Sequence, residues 1–207
     1  MQIGAVWDRF WQDERGASLV EFAAVVALFL VLIFGLLDFG RAFWQYGQAS
    51  TAAQIAARIA IVRPPVCAGV PDQHVLAAGA PRTDFGTACL NGGAGGICAN
   101  PGVITCTGGN DATTNEIWNR TAILMPAGTT QANYQFSYEY TDELGFLGGP
   151  FVPMVTVEIV GAQFQFITPI GGLLQLVGGA GQGFNVLNMP TMRTTLPGED
   201  LAEGNNG

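Results

Sequence analysis

Hydrophobic residues are crowded into one part of the chain. Every position of residues 22–37 is apolar or Gly, and residues 17–20 ahead of it are small or apolar apart from Ser18. As a helix rising about 1.5 Å per residue, residues 17–37 reach roughly 31 Å, the thickness of a bilayer's hydrocarbon core. Beyond Leu37 the pattern changes but stays helical. Phe39, Ala42, Phe43, Tyr46, Ala49, Ala53, Ala56 and Ala60 recur at three- and four-residue steps. The stretch STAAQIAARIAIV is rich in Ala, the strongest helix former. Pro64 and Pro65 stop it, because Pro65 pushes Pro64 out of the helical region and neither supplies an N–H. One continuous helix over residues 17–62 is predicted.

Residues 66–111 are Gly-rich and lack a period, which predicts a long irregular loop. Period-two alternation appears further on. NYQFSYEY (133–140) places Tyr134, Phe136, Tyr138 and Tyr140 on one face, and MVTVEIV (154–160) alternates in the same way. AQFQF continues the pattern after Gly161, and residues 191–196 read as another short strand. PIGGLLQLV (169–177) is a short apolar piece, and the tail PGEDLAEGNNG has the composition of a disordered segment.

The fold class is therefore α+β: a long N-terminal transmembrane helix running into a small domain with an antiparallel sheet. The predicted divisions are a leader or stub at 1–16, a span at 17–37, a helical extension at 38–63, an α+β domain at 64–196 containing the Gly/Cys-rich loop 66–111, and a tail at 197–207.

Composition strengthens the membrane reading. Charged residues make up 12% of the chain and hydrophobic ones 49%, a balance that suits a membrane-attached protein. A cleaved secretory signal would carry a basic start and a small-residue cut after the apolar run. Here the start contains Asp8, Arg9, Asp13, Glu14 and Arg15, and the run is followed by the bulky DFGRAFW. Arg9 and Arg15 before the run against Arg41 after it favour a cytoplasmic N-terminus.

Net charge is −8, all basic residues are Arg, and they are scattered, so a nucleic-acid partner is not indicated. The absence of Lys excludes a Walker-type phosphate loop, Schiff-base chemistry and a Ser–Lys dyad. Cys67, Cys89, Cys98 and Cys106 cluster in the loop region, which points to disulfides and an oxidising compartment, with all three pairings open. Zinc is disfavoured because no C-x-x-C occurs and His74 is the only His.

No residue set reads as catalytic, and none calls for a cofactor. A thiolate pair of Cys67 with His74 is conceivable, but a disulfide cysteine beside a solvated His is the simpler expectation. Glu139, Asp142 and Glu143 lack the spacing of a calcium loop and read as turn acids.

Glu21 is the exception in the apolar segment. Near the end of a span its cost is lower than the roughly 2.5–3.5 kcal/mol of a charge at the centre, and a helix start favours negative charge. Its neighbours suggest more. RGASLVEF puts Gly16 five residues before Glu21, with the apolar run following at once. This resembles the prepilin-peptidase site of the type IV pilin superfamily, where the cut follows a Gly and the fifth residue after it is Glu. The resemblance implies processing between Gly16 and Ala17. It also implies that Glu21 meets the new N-terminal amine of a neighbouring subunit in an apolar setting, fixing the register of packed helices.

The longer stretch ERGASLVEFAAVVALFLVLIFGLLDFGRAFWQYGQASTAAQIAAR closely resembles the TadE-like family of tight-adherence (Flp) pilus assembly proteins. That resemblance implies a minor pilin or pseudopilin with a single span in the bacterial inner membrane, its C-terminal part periplasmic or in a pilus. The implied partners are membrane lipid, other pilins or pseudopilins, the Tad assembly machinery and a prepilin peptidase. Phe22 stands where a major pilin of this system would have Tyr, which points to a minor component. Phe39, Phe43 and Tyr46 are expected to form a helix-packing stripe. The rival reading is a membrane-anchored periplasmic or surface binding module that joins no fibre.

Overall fold

A computed structural model describes residues 16–91, 96–167, 186–199 and 201. Trp7, Phe10 and Trp11 of the leader, the apolar piece 169–177 and most of the tail lie outside them. The chain forms two compact units. One carries the first part of the long helix, through Ala42, and the other contains Phe43–Gln165 and Val186–Gly207.

Helix α1 is Ala17–Ala60, 44 residues, close to the predicted extent. Ile61 still donates to the Ala57 carbonyl at 3.1 Å before the two prolines stop the ladder. Within the first unit its apolar side chains face outward. Leu19, Val20, Phe22, Leu28, Leu32, Leu36 and Leu37 are all exposed, on every side of the helix. An apolar helix exposed all round has no water-compatible face and suits a lipid environment. By length and composition, α1 is able to cross a membrane.

In the second unit, α1 buries a face of small residues. Ala49, Ala52, Ala53, Ala56, Ala57 and Ala60 are fully buried in one cluster with Tyr134, Phe136, Tyr138, Val155, Val157, Ile159 and Met192. The aromatic side chains buried in that cluster, Tyr134, Phe136 and Tyr138, come from the sheet.

The sheet has four strands: β1 (Val103–Thr107), β2 (Tyr134–Glu139), β3 (Met154–Ile159) and β6 (Met192–Pro197), ordered β1-β2-β3-β6. All neighbours are antiparallel. Its register aligns Cys106, Phe136, Val157 and Thr194 in one row, and Tyr134, Ile159 and Met192 in the next. Because side chains alternate along a strand, these rows present one apolar face to the core. On the opposite face Thr156 and Thr195 hydroxyls bond at 2.8 Å, and Arg193 pairs with Glu158 at 3.3 Å. A separate ribbon joins β4 (Gln163–Gln165) to β5 (Val186–Asn188).

The loop expected over residues 66–111 is mostly irregular, but it ends in β1. Helix α2 (Ala112–Thr121) follows at once. Asp111 caps it, its carboxylate accepting the Thr114 N–H at 2.8 Å. The α+β reading thus holds, with the sheet one strand larger than predicted on its β1 edge.

The exit from α1 is tied down at successive residues. The Ile61 carbonyl accepts from Glu199 N–H at 2.9 Å, and the Pro64 carbonyl accepts from the Thr113 hydroxyl at 2.8 Å. Arg63 Nε donates to Glu116 at 2.8 Å, and the Val66 N–H donates to the Tyr138 hydroxyl at 3.1 Å. The Arg63 hydrogen bond, helped by Arg120, holds the Glu116 carboxyl below the ordinary carboxylate range. The Cys67–Cys106 disulfide completes the series by joining the segment after α1 to β1.

Ala56 is fully buried on the alanine face of α1. Ala56→Leu is expected to lower stability by about 1–3 kcal/mol through overpacking. Gln54→Leu, on the exposed face, should change it by less than about 0.5 kcal/mol. Urea unfolding of the detergent-solubilised protein, followed by near-ultraviolet circular dichroism, measures both.

Candidate functional site

Three groups of residues bear on function, and each lies at a different place in the fold. The first is the start of α1. Gly16 precedes the helix, Ala17 is its first residue, and Glu21 and Phe22 lie just past the first turn. Glu21 is four positions after Ala17, so the two positions fall on one side of the helix about 6 Å apart along its axis. Gly16 is exposed, and a Cβ added there would meet nothing within 4 Å. Glu21 is also exposed and makes no hydrogen bond or ion pair among the described residues. Among the described residues nothing crowds Gly16, and Glu21 sits in an otherwise apolar stretch of helix surface.

The second group lies on α1 beyond the apolar run. Phe39, Phe43 and Tyr46 follow one helix face at four- and three-residue steps, and all are exposed. Phe39 meets the Phe166 ring edge-on, with centroids 6.0 Å apart. Within the chain, the α1 side chains in the core cluster that holds the sheet are the alanines and Ile59, with Ile55 packed against it. Sequence reasoning passed over Asp38. It is buried, and Arg41 Nη1 donates to its carboxylate at 3.2 Å. A carboxylate removed from water needs such a partner. The i,i+3 spacing of Asp38 and Arg41 at the edge of the apolar run was the available signal.

The third group is the loop region. The four cysteines form two disulfides, Cys67–Cys106 and Cys89–Cys98. Cys67 is therefore no thiolate partner for His74, as expected. The expectation of a solvated His74 is overturned, because the ring is buried. Backbone bonds pin the residue on both sides: His74 N–H donates to Gly149 at 2.9 Å and Gly148 N–H donates to the His74 carbonyl at 2.9 Å. Nε2 accepts the Val152 N–H at 3.2 Å, and the Phe151 ring lies 5.1 Å away, centroid to centroid. Gly145, at φ +83°, leaves the room the ring occupies; a Cβ there would collide with Nε2. Burial lowers the His74 pKa below its ordinary 6.5.

An imidazole nitrogen of His74 and the sulfurs of Cys89 and Cys98 lie within 4.8 Å of one another. Metal ligation needs thiolates. Here the two sulfurs are bonded to each other, and Nε2 is engaged by Val152.

The comparison with known families falls on the first two groups. The family model described as TadE-like protein matches residues 16–58, the stretch on which the sequence resemblance rests. No curated protein matches the chain, and no solved structure does.

His74 is neutral in the fold and titrates near pH 6.5 when unfolded. In the window below that value the unfolded chain binds a proton that the folded chain does not. Stability is therefore expected to be complete above about pH 6.5 and to fall as pH drops through the folded pKa. Comparing urea unfolding of the wild type and His74→Gln across this range checks it: the variant should lack this part of the slope.

Proposed function

We propose that this chain is a membrane-anchored pseudopilin or minor pilin that takes part in assembling a Tad-type adherence pilus or a related secretion system. The TadE-like match over residues 16–58 carries the reading, since the family is one of pilus assembly. It covers the open Gly16–Ala17 junction, Glu21 and most of α1.

In this reading α1 anchors the chain in the inner membrane, with residues 1–16 cytoplasmic and the sheet-bearing part periplasmic. A prepilin peptidase cuts after Gly16. The exposed position of Gly16 leaves access for it. The mature amine of Ala17, with an ordinary pKa of about 7.7–8.0, carries a positive charge at neutral pH. Glu21 of an adjacent subunit receives it. Each charge offsets part of the other's desolvation cost in lipid, and only one axial register brings them together. Phe39, Phe43 and Tyr46 supply an exposed aromatic face for neighbouring helices. The work is structural, in helix packing and subunit contact. The two disulfides fit the oxidising periplasm.

The rival, an anchored binding module outside any fibre, shares the span and the disulfides. Processing separates the two. Intact-mass spectrometry of membrane-extracted protein should find an N-terminus at Ala17 in cells with a prepilin peptidase and Met1 retained in cells without one. An uncut chain in both backgrounds, or a cut beyond the apolar run, would refute processing at Gly16.

A further inference from the structure

We propose that α1 leaves the lipid at Trp44, about two turns beyond the apolar run, and that Trp44 is the phospholipid headgroup contact that sets how deep the chain sits. The inference rests on the membrane-anchored reading above and adds a boundary to it. It depends on neither processing nor assembly.

One stripe of α1 is exposed on both sides of Trp44, at three- and four-residue steps. Toward the N-terminus it is apolar: Leu30, Ile33 and Leu37 are all exposed. Toward the C-terminus it is polar: Thr51, Gln54 and Arg58 are exposed. Only Gly40 and Gly47 come between these two sets and Trp44. A single uncovered helix face thus changes from lipid-compatible to water-compatible at this residue.

The charges agree. Asp38 and Arg41 are the only charged residues between Glu21 and Arg58. Leu36, Leu37 and Phe39 are 77%, 58% and 52% exposed, yet Asp38 is 1% exposed and accepts from Arg41 at 3.2 Å. A helix in water shows the reverse, with its carboxylate out and its large apolar groups covered. A hidden, paired carboxylate beside bare Leu and Phe side chains is the arrangement that lipid selects. On this boundary the span extends about 10 Å past its predicted end at Leu37. Glu21 lies about 35 Å from Trp44 along the axis, toward the opposite headgroup layer, where a carboxylate costs less than at the centre.

Trp44 has the chemistry for the contact. It is 70% exposed, and its indole N–H makes no hydrogen bond among the described residues. A bare ring with a free N–H suits the headgroup layer, where the ring meets acyl chains and the N–H meets phosphate or ester oxygens. Tyr46 is a second exposed amphipathic ring within the same turn. Trp44 falls on a different side of α1 from Phe39, Phe43 and Tyr46, so lipid contact there leaves that aromatic face open to neighbouring helices.

Full-length protein is reconstituted into phosphatidylcholine vesicles whose acyl chains carry bromine either near the headgroup or deep in the core. Iodide, present on both sides of the bilayer, is the aqueous quencher. Trp44→Phe supplies the blank, and subtracting it isolates the Trp44 emission. In that background, Leu37→Trp and Thr51→Trp place an indole on the same stripe to either side. All three positions are exposed, so the substitutions leave the core untouched. Shallow bromine should quench Trp44 more than deep bromine or iodide does. The indole at position 37 should lose most intensity to deep bromine, and the one at position 51 to iodide. The proposal is overturned if Trp44 answers mainly to iodide, mainly to deep bromine, or to no quencher, as it would under a second copy of the chain. If deep bromine still reaches position 37 in that case, anchoring stands and only the boundary fails. If no brominated lipid reaches any of the three positions, anchoring itself fails with it.

Discussion

The second unit depends on how closely a helix can lie against a sheet. From Ala49 to Ala60 the buried side of α1 carries six alanines, all essentially without exposure. The methyl groups leave space beside the helix, and much of the bulk that fills it comes from Tyr134, Phe136 and Tyr138 on β2. The tyrosines bring hydroxyls with them, and each is satisfied: Tyr134 bonds Thr121 at 2.7 Å, and Tyr138 accepts from Val66. Burial accordingly raises both phenol pKa values, so these groups stay neutral donors or acceptors. Fixing the helix at this depth also places residues 61–67 where an ion pair, three hydrogen bonds and a disulfide can reach them.

Side-chain size and polarity thus give α1 two different surfaces. Toward its C-terminal end it is a scaffold element with one small-residue face. Through the apolar run it has no polar face, which is unfavourable in water and favourable in lipid. Glu21 is the one ionisable residue within that run. A carboxylate kept in such a place is a functional candidate by default, because the chain would insert more readily without it. The proposed amine partner gives that cost a return in register.

Much of this architecture was legible in the residues. The extent of α1 followed from its apolar period and Pro64–Pro65, and β2 and β3 followed from strict alternation. Strand β1 was hidden because VITCT is short and continues directly from a Gly-rich stretch. Helix α2 was missed because ATTNEIWNRT is poor in strong helix formers; Asp111 and buried Thr113, Thr114 and Ile117 hold it in place of propensity. β5 is only three residues, too few to show a period. Disulfide pairing depends on the chain path between cysteines, which spacing does not encode. Of the candidate sites, the Gly16–Phe22 pattern was plain from local sequence. The burial of His74 was not, because it arises from Gly145 and Val152, distant along the chain.

Replacing Glu21 by Ala separates insertion from assembly. If the carboxylate sets the register of neighbouring helices, the Glu21→Ala chain reaches the membrane at the wild-type level, yet no longer co-purifies with other pilin subunits from pilus-forming cells. Undiminished co-purification, with normal pili on the surface, would contradict the role given to Glu21.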